Sequence, residues 1–322
     1  MNKRAKLLWW NQLFAPTGEE SQAGELILRA LLEKGYNAWM DDTHSVTVKL
    51  GGEGEKLLIC VPYDQKGMLI TGQYQAGGYF LNNIGRWDGS NLPGEHGVAT
   101  GNASVEIRVH EGAENYKAPY NLELNYVDGR RNVDMIGNKA VFPAQETEMR
   151  ENGKYYFSVS MLDNRAACLT AEAFIDEVDP AKLNREVYVT FLALDTCCFR
   201  AAVSVVSQLR PDSAIVISCK QDEAWKRDAL VINHIGVKYL SDPVLVRRFS
   251  QVSEQVGTVL EHRFERPVAA SAAVDSADSL VPYGCRTLSV SLPVRREDWR
   301  NGYVSEKCLE SMVSSLVKLV TK

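Results

Sequence analysis

Leucines and isoleucine recur at helical spacing from Glu19 to Lys34, after a Pro16-Thr17-Gly18 turn and before Gly35. That spacing predicts an amphipathic helix with a glycine C-cap. From Tyr36 to Leu50 the pattern changes to strand, turn, strand, and Gly51-Gly52 closes it. The next run, Lys56-Leu-Leu-Ile-Cys-Val-Pro62, is apolar almost without interruption and predicts a strand buried on both faces. It stops at Tyr63-Asp64-Gln65-Lys66-Gly67, a polar turn with an acid and a glycine. Open α/β sheets bind ligands outside the carboxyl ends of their strands, so this turn marks a candidate active-site edge.

Between Leu69 and Phe157 the chain shows short strand patterns and glycine-rich turns at Gly77-Gly78, Gly85, Gly89, Gly94 and Gly101. This predicts a small β-barrel or sandwich-like unit. From Met161 onward helical and apolar strand patterns alternate. Helices are predicted over 164–175, 200–208, 243–259 and 305–320, and strands over 186–194, 214–219 and 286–292. Such βαβ alternation predicts a mostly parallel sheet flanked by helices. The expected division is an α/β domain over 1–68 and 158–322, with a β-rich insert at 69–157.

A length of 322 residues with 45% hydrophobic and 24% charged positions fits a folded chain of two domains. The net charge of −5 offers no general attraction for nucleic acid or acidic membranes. Neither partner is expected. The N-terminus has basic residues followed by only a short apolar patch, and no stretch reaches the ~18 apolar residues of a membrane span. The expected location is cytoplasmic. The seven cysteines, Cys60, Cys168, Cys197, Cys198, Cys219, Cys285 and Cys308, lack Cys-x-x-Cys spacing and read as reduced core thiols. The adjacent Cys197 and Cys198 point to opposite faces of an extended segment, which argues against a shared metal or a disulfide.

With these landmarks in order, nearly the whole chain resembles the TET, glutamyl aminopeptidase and cellulase-M-like family of di-metal aminopeptidases. Pro62-Tyr63-Asp64-Gln65-Lys66-Gly67 stands where that family reads roughly His-Met-Asp-Glu-x-Gly. Asp42-Thr43-His44-Ser45-Val46 looks like its Asp-x-x-Gly-Asn-Val strand turn. The stretch from Ile84 to Leu92, with Gly94 and Val98, is similar to the Gly-Gly-Trp region of the family's inserted domain. Leu124 to Arg130, with Ile136-Gly137, resembles the end of that insert. The resemblance implies an α/β phosphorylase/hydrolase-like aminopeptidase domain, with a central mixed, mostly parallel sheet, and an inserted small β-barrel domain.

It also implies a chemistry: two divalent ions bridged by a carboxylate and a water, with a glutamate as general base. Met161-Leu162-Asp163-Asn164-Arg165 resembles the family's Ala-Leu-Asp-Asp/Asn-Arg, so Asp163 takes the bridging-ligand position. Asp195-Thr196 aligns with a Glu-Glu pair, which places Asp195 at the general base and Thr196 at a metal ligand. An aspartate reaches about 1.3 to 1.5 Å less than a glutamate, and base catalysis needs hydrogen-bond reach to the water. Pro211 to Ser218 resembles Pro-Asp-x-Ala-Ile-x-x-Asp, which leaves Ser218 where a carboxylate ligand belongs. Pro62 replaces a histidine, and Asp298 or Glu297 falls where the last histidine belongs. Asp64, Asn164, Arg165 and Asp275 complete the pocket by resemblance.

Among the pocket residues, Asp64 reads as a structural turn carboxylate and Arg165 as the partner of a core carboxylate. The five histidines, His44, His96, His110, His234 and His262, fall in no ligand position. No Gly-x-Ser-x-Gly elbow surrounds Ser271, Ser276 or Ser279, and no phosphate-binding glycine loop is present. The expectation is a non-catalytic homologue that binds a peptide or small molecule, or assembles, with no cofactor. The alternative is a working hydrolase that uses Asp163, Asp195 and Asp298 around one divalent cation (Mg, Mn, Ca or Zn) at low occupancy. Homo-oligomers, dimeric or dodecameric, follow from the resemblance alone.

Overall fold

The structure is a computed structural model that describes residues 3–73, 79–84, 96–99, 105–111, 120–124, 136–142, 148–151, 154–160, 164–196, 200–264, 276–296 and 301–322. In chain order the elements begin with α1 (Lys3–Gln12), α2 (Ser21–Glu33), β1 (Asn37–Met40), β2 (Val46–Gly51) and β3 (Lys56–Pro62). They continue with β4 (Gly67–Gln73), β5 (Tyr79–Ile84), β6 (His96–Ala99), β7 (Val105–Glu111), β8 (Tyr120–Leu124) and β9 (Lys139–Val141). Next come β10 (Glu148–Glu151), β11 (Lys154–Ser160), α3 (Arg165–Glu177), β12 (Glu186–Leu192), α4 (Arg200–Leu209) and β13 (Ser213–Gln221). The last are β14 (Leu230–Asn233), α5 (Pro243–Gln255), β15 (Leu260–Arg263), α6 (Ala277–Leu280), β16 (Arg286–Arg296), β17 (Asn301–Ser305) and α7 (Glu306–Val320).

The main sheet runs β1-β2-β12-β3-β13-β16-β17-β11-β10, with β14 and β15 branching from β16. Its centre, β12, β3, β13 and β16, is parallel. The apolar runs read from the sequence are buried on both faces because they alternate between two cores. Leu57, Ile59 and Val61 face the larger one with α1, α2, α3, α5 and α7. Leu58 and Cys60 face the smaller one with α4 and α6. A strand covered on both sides needs no polar face, which explains the unbroken pattern.

β4, β5, β8, β7, β6 and β9 close into a barrel. β10 and β11, in contrast, extend the main sheet through β17. Strand pairing therefore draws the barrel within 67–141 and puts 148–160 in the main sheet, inside the stretch that the sequence reading gave to the insert. α2 lies close against the first turn of the sheet because Gly24 has no side chain. A Cβ there would meet Met40 Sδ at 2.8 Å and His44 O at 2.9 Å. Five cysteines, Cys60, Cys168, Cys219, Cys285 and Cys308, are free thiols, while Cys197 and Cys198 lie outside the described residues.

Candidate functional site

Parallel pairing brings the carboxyl ends of β12, β3 and β13 side by side. Leu192 pairs with Pro62 across β12 and β3, and Ser218 pairs with Ser291 across β13 and β16. Beyond this edge the chain leaves β12 through Ala193, Leu194, Asp195 and Thr196, and three backbone N–H groups of this turn donate to side chains from three other elements. Ala193 N donates to Ser45 Oγ at 3.1 Å, Leu194 N to Glu20 Oε1 at 3.1 Å, and Thr196 N to Asp64 Oδ2 at 2.9 Å. Leu194 has a φ of +48°, a left-handed conformation that costs about 1–3 kcal/mol in a non-glycine residue and persists where its surroundings hold it. The three acceptors supply that hold.

A second layer comes from the segment between α1 and α2, which crosses the end of β3. Gln65 N donates to Ala15 O at 2.7 Å and Thr17 N to Gln65 O at 3.1 Å. Ala15 N donates to Gln65 Oε1 at 2.8 Å, and Thr17 Oγ1 donates to Asp64 Oδ2 at 2.8 Å. Asp64, 2% exposed, thus joins the crossing segment to the turn after β12.

Arg165, 1% exposed, departs from the expected carboxylate pairing. Among the described residues it forms no ion pair. Its Nη1 donates to Tyr63 O at 2.9 Å and its Nη2 to Leu13 O at 2.7 Å. Two carbonyls engage the Nη atoms of the buried guanidinium, whose Nε is buried without a hydrogen-bond partner, and the side chain clamps the crossing segment to β3. Asn164 is likewise structural in its contact: its Oδ1 accepts from Cys219 N at 2.8 Å and joins the end of β13 to α3.

Asp195, buried at 7% exposure, accepts a 2.5 Å hydrogen bond from Ser276 Oγ. Ser276 is itself 1% exposed, which places its hydroxyl in packing and away from solvent. Ser218 Oγ shares a 3.2 Å hydrogen bond with Ser291 Oγ, which also accepts from Asn233 Nδ2 at 2.8 Å. Pro62 presents only carbon, and its carbonyl accepts from Cys168 Sγ at 3.3 Å. Asp163, Asp275, Glu297 and Asp298 lie outside the described residues.

Glu20 is the residue that sequence reasoning passed over. It is 1% exposed, its Oε1 accepts from Gly18 N at 2.8 Å and Leu194 N at 3.1 Å, and its Oε2 is buried without a hydrogen-bond partner. Burial, reinforced by the nearby Asp64 charge, pushes the Glu20 carboxyl above its ordinary value of 4.5, against the opposing pull of the two N–H donors. An unfolded chain releases this proton at the ordinary value, so between that value and the raised one the folded state binds more protons. Stability is therefore fully present below about pH 4.5 and falls as pH rises through the raised value. Glu20→Gln keeps an acceptor at Oε1 and removes the titration. Urea unfolding from pH 4 to 8 is expected to show the variant gaining on the wild type as pH rises, and a constant difference would speak against it.

The backbone that carries these groups matches known structures over its whole length. A TET aminopeptidase from a marine sediment Thaumarchaeota archaeon superimposes with a TM-score of 0.85 at 16% identity, covering 99% of this chain and 96% of that one. The chain has the fold of the TET aminopeptidases. An aminopeptidase from Desulfurococcus kamchatkensis gives a TM-score of 0.83 at 15% identity over 99% of this chain and 94% of that one. The Pyrococcus horikoshii TET1 peptidase, which can assemble into a tetrahedron or a large octahedral shell, gives 0.81 at 17% identity over 100% of both chains. No protein-family model and no curated protein matches the sequence.

The TET aminopeptidase fold raises the question of two metal ions, and the described residues do not fit them. Pro62 has no donor side chain, and the Ser218 hydroxyl is engaged by Ser291. Thr196 offers a hydroxyl, a poor divalent ligand beside a carboxylate. Among the described residues no three His, Cys, Asp or Glu side chains converge to hold an ion. None of the described helices is long and apolar enough to cross a membrane.

Proposed function

We propose that this chain is a non-catalytic homologue of the di-metal aminopeptidases that works by binding or assembly. The observation that carries the reading is the hydrogen bonding of the strand-end residues. Asp64 bridges Thr17 and Thr196, Asp195 holds Ser276, and Ser218 bonds Ser291. These bonds engage the side chain at one position that aligns with a metal ligand, Ser218, the one that aligns with the general base, Asp195, and the neighbouring pocket carboxylate Asp64. The fold is kept and its carboxyl edge is cross-linked by hydrogen bonds.

Two uses of that scaffold follow. A peptide or small molecule could be held over the old cleft, and copies could associate as the Pyrococcus horikoshii TET1 peptidase does. The reading places the chain in the cytoplasm, and its net charge of −5 speaks against a nucleic-acid partner. The rival reading is a hydrolase with one oxygen-liganded cation on Asp163, Asp195 and Asp298. A panel of aminoacyl-nitroanilides with added Zn²⁺, Co²⁺ and Mn²⁺ separates them. No metal-dependent turnover is expected, and turnover abolished by Asp163→Ala would establish the rival.

A further inference from the structure

On the branch of the sheet formed by β14 and β15, separated from β13 by β16, two histidines meet. His262 lies in β15 and pairs with Ile232 of β14. His234 follows β14, and its N–H donates to Arg263 O at 2.9 Å, so backbone hydrogen bonds fix both residues. His234 Nε2 and His262 Nδ1 are 2.7 Å apart. Phe264 stacks on the His234 ring with centroids 4.2 Å apart and planes 18° apart, and its plane lies within 16° of the His262 ring. Its exposure of 67% puts the cluster at the surface.

Two imidazole nitrogens facing each other this closely share one proton, and a cation can take the place of that proton. Metal–nitrogen bonds of about 2.0–2.1 Å set neighbouring ligand nitrogens about 3 Å apart, and because the two rings face each other end to end, with centroids 5.0 Å apart, both side chains must swing outward for their lone pairs to converge on one ion. Neutral imidazole is the ligating form.

The neighbouring carboxylates are already engaged: Glu261 pairs with Arg227 and Arg263, and Asp222 pairs with Arg263. Hard cations that want carboxylate oxygen gain little here, whereas two imidazoles suit copper, nickel and zinc. We infer that His234 Nε2 and His262 Nδ1 form a surface chelate for one late first-row divalent cation, Cu²⁺, Ni²⁺ or Zn²⁺, with water completing its coordination. The site uses none of the strand-end side chains described above.

The test is calorimetric titration of the tag-free full chain with CuSO₄ and NiCl₂, alongside His234→Ala, His262→Ala and His262→Gln. Far-UV circular dichroism checks that each variant is folded. One equivalent is expected to bind the wild type, and each substitution should weaken it by at least about tenfold. The glutamine variant, which keeps a hydrogen-bonding partner for His234, should lose the ion as alanine does. The Cu²⁺ electron spin resonance signal should show coupling to two imidazole nitrogens only in the wild type, and Mg²⁺ should not compete. Absence of binding to the wild type, or folded histidine variants that titrate like it, would overturn the inference.

Discussion

Arg165→Met is expected to lower the free energy of unfolding by about 2–4 kcal/mol, read as a lower urea midpoint at unchanged slope. The substitution keeps most of the buried apolar stem and removes the donors to Tyr63 O and Leu13 O. Each buried carbonyl left without a donor costs about 1–3 kcal/mol. Three effects work in the opposite direction: a buried charge disappears, so does its unpartnered buried Nε–H, and so does a cation in the first turn of α3, where the helix dipole disfavours it by about 0.3–1 kcal/mol. The two lost carbonyl bonds outweigh them. Arg165→Lys should fall between, because an ammonium lacks the planar fork that reaches two acceptors in fixed geometry. A loss below about 0.5 kcal/mol in the methionine variant would show that the clamp contributes no more than an ordinary surface residue.

Asp64→Ala is the second large effect, about 2–4 kcal/mol. Its Oδ2 accepts from Thr17 Oγ1 and from Thr196 N, and hydrogen bonds to a charged group contribute about 1.5–3 kcal/mol each. Removing it leaves Thr196 N without its carboxylate and takes one tie from the segment over β3, which keeps its bonds to Gln65 and Arg165. The Leu194 turn then keeps Ser45 and Glu20 as acceptors but loses the third. Hydrogen exchange at Thr196 should accelerate more than exchange in β12, because local opening precedes global unfolding. Equal acceleration at both places would mean that Asp64 supports the whole fold and not this turn in particular.

Much of the architecture was legible because β3, β12, β13 and β16 are covered on both faces and read as plain apolar runs. α1 was not, since its ten residues carry only Leu7 and Trp10 as buried apolar anchors, too few turns to show a period. It is held by packing, with Trp10 stacked on Phe191 at 5.2 Å and Trp10 Nε1 donating to Glu172 Oε2 at 2.9 Å. β14 and β15 have four residues each and give no pattern to count. At the strand ends, Asp64, Asp195 and Ser218 were found by alignment with a known motif, but their partners were not. Thr17 with Asp64 and Ser276 with Asp195 are long-range pairs, which no local period encodes. Glu20 escaped because an acid before a helix reads as a solvated residue favoured by the helix dipole. Its burial depends on the turn after β12, which reaches it only in the folded chain.

The most direct test of a cross-linked, metal-free strand edge is Zn²⁺ stoichiometry by equilibrium dialysis with and without Asp163→Ala, in a His262→Ala background that silences the imidazole pair. Equal stoichiometry in the two proteins is the predicted result. One or two additional equivalents bound only when Asp163 is present would contradict it and restore a metal centre to this site.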